Sequence, residues 1–177
     1  MRNKNTFKLA LGGICLALTI VFMFAGSIVP GIELTLFAIS SLFVAIMIME
    51  TGVGSGILLY VAAVILGLIL VPGKTALIPY IFFFGYYGVV KYFIEKLQRG
   101  ISQIMIKVIF FAAVISIGLL GFKELLLGAI ELPDYPTAVL IIGGIVIMLV
   151  YDYIYTLVIQ IYISKVQHKG MDNFKLS

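Results

Sequence analysis

Long charge-free apolar runs alternate with short polar breaks along this chain, and the breaks set its organisation. The first run, Leu9–Ile32, follows Arg2, Lys4 and Lys8 and closes on Pro30-Gly31. The second, Leu34–Met49, is bracketed by Glu33 and Glu50, and the third, Thr51–Gly73, opens with Gly52, Gly54 and Gly56 and ends at Pro72-Gly73. A fourth, Thr75–Val90, continues past Lys91 to Leu97, and a fifth covers Ser102–Phe122. The sixth starts near Thr137, after Pro133 and Pro136, and ends near Ser164. Crossing a bilayer takes about 20 apolar residues per helix, and Pro and Gly stand where helices stop. The pattern predicts an all-α integral membrane protein with six transmembrane helices in one bundle. The expected spans are 8–29, 34–50, 52–71, 75–97, 102–122 and 137–164, within a single transmembrane domain of residues 1–177.

Composition agrees. The chain has 177 residues, 63% of them hydrophobic and only 11% Asp, Glu, Lys or Arg, against about 25% charged in soluble domains. A secretory signal competes for the first run, because Ala25-Gly26-Ser27 resembles a small-residue cleavage site. The run exceeds the roughly 7–15 residues of a signal core, and further spans follow, so a retained helix is expected. Cys15 is the sole cysteine and His168 the sole histidine, which excludes an intrachain disulfide, a Cys-based metal site and a His-rich one. The net charge of +4 sits at helix ends, a signature of membrane topology rather than of nucleic-acid binding.

Six spans put both termini on one side. Assigning them to the cytoplasm places Arg2, Lys4, Lys8, Lys96, Arg99, Lys165, Lys169 and Lys175 inside, with Lys91 and Lys107 near that face and only Lys74 and Lys123 outside. The excess of inner Lys and Arg predicts an N-in/C-in orientation. Glu33, Lys74, Glu124, Glu131 and Asp134 then lie on the outer face, and the acidic connection Lys123–Pro136 carries Leu125–Leu127, Ile130 and Leu132 as a candidate interfacial half-helix.

Asp152 is the one charged residue in Tyr135–Ser164, thirty residues long. A carboxylate at that depth costs about 2.5–3.5 kcal/mol on insertion scales and faces a bundle interior or a wet cavity. Lys91 falls at a similar depth on the fourth span, so a buried Lys91–Asp152 pair is geometrically open, as is snorkelling of Lys91 to headgroups. Asp152 is then either a structural polar node or a group used on a ligand or proton. The segment Tyr80–Tyr92 reads YIFFFGYYGVVKY; buried phenols seek hydrogen-bond partners, which makes Tyr86 and Tyr87 candidates to line a polar interior beside the plainer reading of core packing. Gly13 and Ala17 lie four apart on the first helix, a small-xxx-small face that serves internal packing or a partner helix. Gly73-Lys74-Thr75 lacks the upstream glycine of a phosphate loop, so the chain is not expected to hydrolyse ATP. No paired carboxylates, His cluster or Ser-His pair lies in the spans, and no enzymatic activity or cofactor is expected.

Six spans of this size, a short basic N-terminus and spaced small residues on the first helix resemble the substrate-binding S-components of energy-coupling factor transporters. The resemblance covers the whole chain in layout. It implies docking to a transmembrane coupling subunit through the first helix, with Gly13 and Ala17 replacing the family's Ala-xxx-Ala. Two ATPase subunits would then drive uptake in the cell membrane. It also implies a pocket opening outward beneath Pro30–Glu33, Val71–Thr75 and Lys123–Tyr135. The implied ligand set is Glu33, Lys74, Tyr80, Tyr86, Tyr87, Glu131, Asp134 and Tyr135, with Lys91 and Asp152 as buried polar residues. Metal-importing members use an N-terminal histidine that this sequence lacks, so the implied cargo is an organic micronutrient. Two other readings stay open: a non-transport scaffold that holds a partner by its helix faces, and a self-contained channel or carrier in which Asp152 titrates.

Overall fold

The computed structural model describes residues 4–29, 31–97, 100–121 and 137–174. Every regular element among them is helical, and six helices are long and apolar enough to cross a membrane. Helix α1 (Lys4–Ile28), α2 (Glu33–Thr51) and α3 (Val53–Leu70) form a tight antiparallel trio. The α2–α3 connection is the single residue Gly52, whose φ of 99° is accessible to glycine without steric cost. The fourth span, Lys74–Glu95, is composite: a 3₁₀ turn (Lys74–Leu77), a π turn (Tyr80–Phe84) and α4 (Gly85–Glu95). Helix α5 (Gly100–Gly121) and α6 (Thr137–Phe174) complete the set.

These bounds agree with the expected spans to within a few residues, except at the end of α6. Its 38 residues reach about 57 Å at about 1.5 Å per residue, well beyond a hydrocarbon core of about 30 Å. The expected end near Ser164 marks where the apolar run stops. The helix itself continues through the polar segment to Phe174, because a helix satisfies its own backbone in water as well as in lipid.

The fourth span is the hub. Of its most apolar stretch 56% is buried, against 6% for α5 and 11% for α6. Its inward residues Leu77, Tyr80, Phe83, Phe84 and Tyr87 join Met23, Phe37, Ala63, Phe111 and Tyr155 in the principal core. Alternation of the spans sorts the molecule into an end that holds both termini and a far end that holds the α1–α2 turn and the start of the fourth span.

Candidate binding site

Pro79 begins the construction of the site. It has no N–H to donate, which weakens helical continuity around it, and the chain proceeds through a π turn closed by Gly85 N–H on the Tyr80 carbonyl. A wide turn accommodates an extra residue and displaces the side chains after it; such turns recur at functional positions. Tyr60 of α3 donates its hydroxyl to the Ile81 carbonyl at 2.9 Å within this turn. The approach requires glycine at 85, where a Cβ would stand 2.5 Å from Tyr60 Cε2. The result is a span that turns Phe83 and Phe84 inward while Phe82 and Tyr86 stay partly uncovered.

Next to this span, in the far half, lies a cavity of about 440 Å³. The fourth span supplies Phe82, Phe83, Phe84 and Tyr86; α5 supplies Val114, Ile115 and Ile117; α6 supplies Gly143, Gly144 and Met148. Ligand pockets are commonly about 300–1,000 Å³ and mostly apolar. Among the described lining residues Tyr86 alone has a polar side chain, and none is charged.

An aromatic tier separates this cavity from the half holding the termini. The ring of Phe83 is 5.1 Å from Tyr87, 6.1 Å from Phe110, 6.0 Å from Phe111 and 5.8 Å from Tyr151, centroid to centroid. Tyr151 and Tyr155 continue the tier toward α2: the Tyr151 hydroxyl is 2.8 Å from Ser41 Oγ, and Tyr155 donates to the Ser41 carbonyl at 3.1 Å. Gly88 admits this contact, since a Cβ there would be 2.7 Å from the Tyr155 oxygen.

Below the tier, toward the termini, the buried Lys91, Lys107 and Asp152 form a cluster with the exposed Glu95 at its edge. Asp152 Oδ1 accepts from Lys91 Nζ and from the Tyr87 hydroxyl at 2.5 Å, and Oδ2 accepts from Lys107 Nζ at 2.6 Å. Lys91 also donates to Thr156 Oγ1 at 2.8 Å and pairs with Glu95 at 2.7 Å, while Lys107 stands 3.7 Å from the same carboxylate oxygen. Two ammonium groups and two carboxylates make the cluster electroneutral. Lys91 and Asp152 are 2% and 8% exposed, a depth at which unpaired charges are strongly disfavoured. All three ammonium protons of Lys91 have acceptors, so Lys91 is held in the cluster and does not snorkel. The cluster ties α4, α5 and α6 together, and the Asp152–Lys107 bond is a polar anchor for the sparsely packed α5.

The residues singled out from the sequence fall in different places. Tyr86 lines the cavity. Tyr87 lies beneath it and serves Asp152. Tyr80 is fully buried against Phe37 and Tyr60 and does not line the cavity; its hydroxyl has no hydrogen-bond partner among the described residues. Glu33 accepts the Gly31 N–H at 2.9 Å and helps form the α1–α2 turn, and Lys74 is exposed; neither lines the cavity. Glu131, Asp134 and Tyr135, with the candidate half-helix, lie outside the described residues. Gly13 and Ala17 are exposed on α1, and a Cβ at Gly13 would touch nothing within 4 Å.

Lys107 and Glu95 were missed as members of the charge cluster, although both are visible as charges near the ends of apolar runs. Lysines near a membrane face read as topology, and only the packing of α5 on α6 brings Lys107 to Asp152. The apolar lining was missed for a different reason: Phe82, Ile115 and Gly143 carry no chemical signal that separates a cavity wall from lipid-facing surface. No family model, curated protein or solved structure matches the chain.

Proposed function

We propose that this chain is the membrane-embedded binding subunit of an uptake system, an S-component-like protein that captures a small organic molecule in the far-half cavity. An ATP-driven coupling module made of other subunits would deliver the cargo, with both termini in the cytoplasm and the cavity in the outer half of the cell membrane. The observation that carries this reading is the cavity itself, of ligand size and walled mainly by three spans, with Leu34 from α2. The layout below it fits the same role. Among the described residues, the aromatic tier and the ionic cluster fill the space between the cavity and the end that holds the termini. This argues against a self-contained channel. It also favours Asp152 as the structural node of the two roles open to it, because its carboxylate already accepts three donors.

The open shelf at Gly143, where a Cβ meets nothing within 4 Å, provides the test. Gly143→Leu adds bulk at the cavity wall from a position where the first added atom meets nothing, and glycine-to-leucine in a helix interior is favourable by up to about 1 kcal/mol, so the fold is expected to be retained. Mass spectrometry of the protein purified with its native lipids is expected to find one retained small molecule in the parent chain and at least tenfold less in Gly143→Leu. Affinity capture is expected to bring a membrane coupling subunit and ATPases with both forms. Absence of any retained molecule, together with failure to assemble with coupling subunits, overturns the proposal.

A further inference from the structure

The chemistry of the cavity wall defines what it admits. A charged or strongly polar molecule entering it would exchange hydration for Phe82, Phe83, Phe84, Ile115 and Met148, with the Tyr86 hydroxyl as the one polar side chain among the described lining residues. Burying even a neutral polar group without a partner costs about 1–3 kcal/mol on the protein scale, and an ion far more. Water gains nothing there either, because an ordered water needs two to four polar partners. Neutral hydrocarbon and aromatic surface is what the wall complements.

The position of the opening points the same way. Several lining residues are also heavily exposed: Ile147 is 68% exposed, Ile117 59%, Val139 52%, Leu34 49% and Phe82 48%. They belong to four different spans, and apolar surface left exposed within a span is the surface that acyl chains cover in a bilayer. Among the described residues, the charged side chains at the far end, Glu33 and Lys74, lie off the lining. Ile147 and Phe82 lie within their spans rather than at the ends, and their exposure points to an opening into hydrocarbon between the deeply buried fourth span and the sparsely buried α5 and α6. Three glycines, Gly118, Gly143 and Gly144, share the lining with the aromatic side chains of the fourth span.

We infer that the cavity binds a neutral, ring-bearing lipophilic molecule that enters laterally from the bilayer, with the Tyr86 hydroxyl meeting its single polar group. This rests on the reading of the cavity as the binding site and assigns its ligand class; a water-soluble, charged nutrient is excluded.

The chain contains no tryptophan, so Ile147→Trp at the mouth gives a single fluorescent reporter. The full-length Ile147→Trp protein is placed in phosphatidylcholine nanodiscs and titrated with retinol, a neutral ring-bearing lipophile that accepts tryptophan emission. Saturable quenching at one retinol per protein is expected, weakened at least tenfold by adding Gly143→Leu and unaffected by excess riboflavin or nicotinate in the water. In a second arm, dibrominated phosphatidylcholine replaces the lipid; retinol is expected to protect the tryptophan from bromine quenching at the same stoichiometry. Retinol quenching that rises linearly without saturating, or is insensitive to Gly143→Leu, overturns the inference. Bromine quenching that retinol does not relieve assigns the cavity to lipid tails and also overturns it. Saturable retinol binding by a chain that assembles with no coupling ATPase retains this inference and rejects the uptake role. A chain that assembles and retains a charged water-soluble compound does the reverse.

Discussion

Asp152 concentrates the residue-scale chemistry. Its carboxylate holds Lys91, Lys107 and Tyr87 at once, and in return satisfies two ammonium groups that have little access to water. Removing one partner of a buried ion pair costs about 3–5 kcal/mol, because the remaining charge is left unmatched. Asp152→Ala is therefore expected to lower thermal stability in detergent by that order, read as the midpoint of a heating curve. The double variant Asp152→Ala/Lys107→Met is expected to recover part of the loss, since it restores neutrality; a double variant no better than the single would contradict the pairing. Tyr80 gives the opposite expectation. Its buried hydroxyl has no partner among the described residues, and an unsatisfied buried donor is destabilising by about 1–3 kcal/mol. Tyr80→Phe is expected to leave the midpoint unchanged or raise it, and a clear fall would reveal a partner for the hydroxyl.

At the scale of the elements, the fourth span carries both tiers of the site. Pro79 and the π turn orient its aromatic residues, and Gly85 and Gly88 allow α3, α6 and α2 to approach it. Gly88→Leu would drive a side chain into the Tyr155 hydroxyl and toward the Ala45 backbone, 3.5 Å from where a Cβ begins. Overpacking of this kind costs about 1–3 kcal/mol, and a drop in the heating midpoint of Gly88→Leu, absent in Gly143→Leu, is the expected contrast between a packed glycine and an open one. Both glycines look alike in the sequence. Gly88 sits in a motif of aromatic residues and Gly143 in a plain apolar run, yet neither context states which side faces a neighbour, because a transmembrane helix is apolar all round and has lost the periodicity that marks a core face in water.

For the whole molecule, the basic residues crowd the end that holds the termini, which the positive-inside rule predicts to be the cytoplasmic end. Cys15 is 3% exposed, so a cysteine introduced at the surface can be labelled against a quiet background. Lys74→Cys in intact cells is expected to react with a membrane-impermeant maleimide, and Ser164→Cys only after the cells are opened. The reverse pattern would invert the orientation and move the cavity to the inner leaflet.

The sequence by itself determined the class of structure: six apolar helices, their approximate bounds, the sidedness of basic residues and the presence of a costly carboxylate in the sixth span. Those features follow from local composition, since the bilayer requires apolar length and charges the same penalty wherever an ion is buried. Tertiary structure decided who neutralises that carboxylate, with Lys107 joining Lys91 from a span that the sequence leaves unconnected to it. It also decided that Tyr80 turns into the core while Tyr86 faces the cavity, a separation set by the π turn between them. The cavity is legible only in three dimensions, because hydrocarbon side chains become a wall through the gap they enclose, and that gap belongs to the packing of several spans rather than to any one segment of chain.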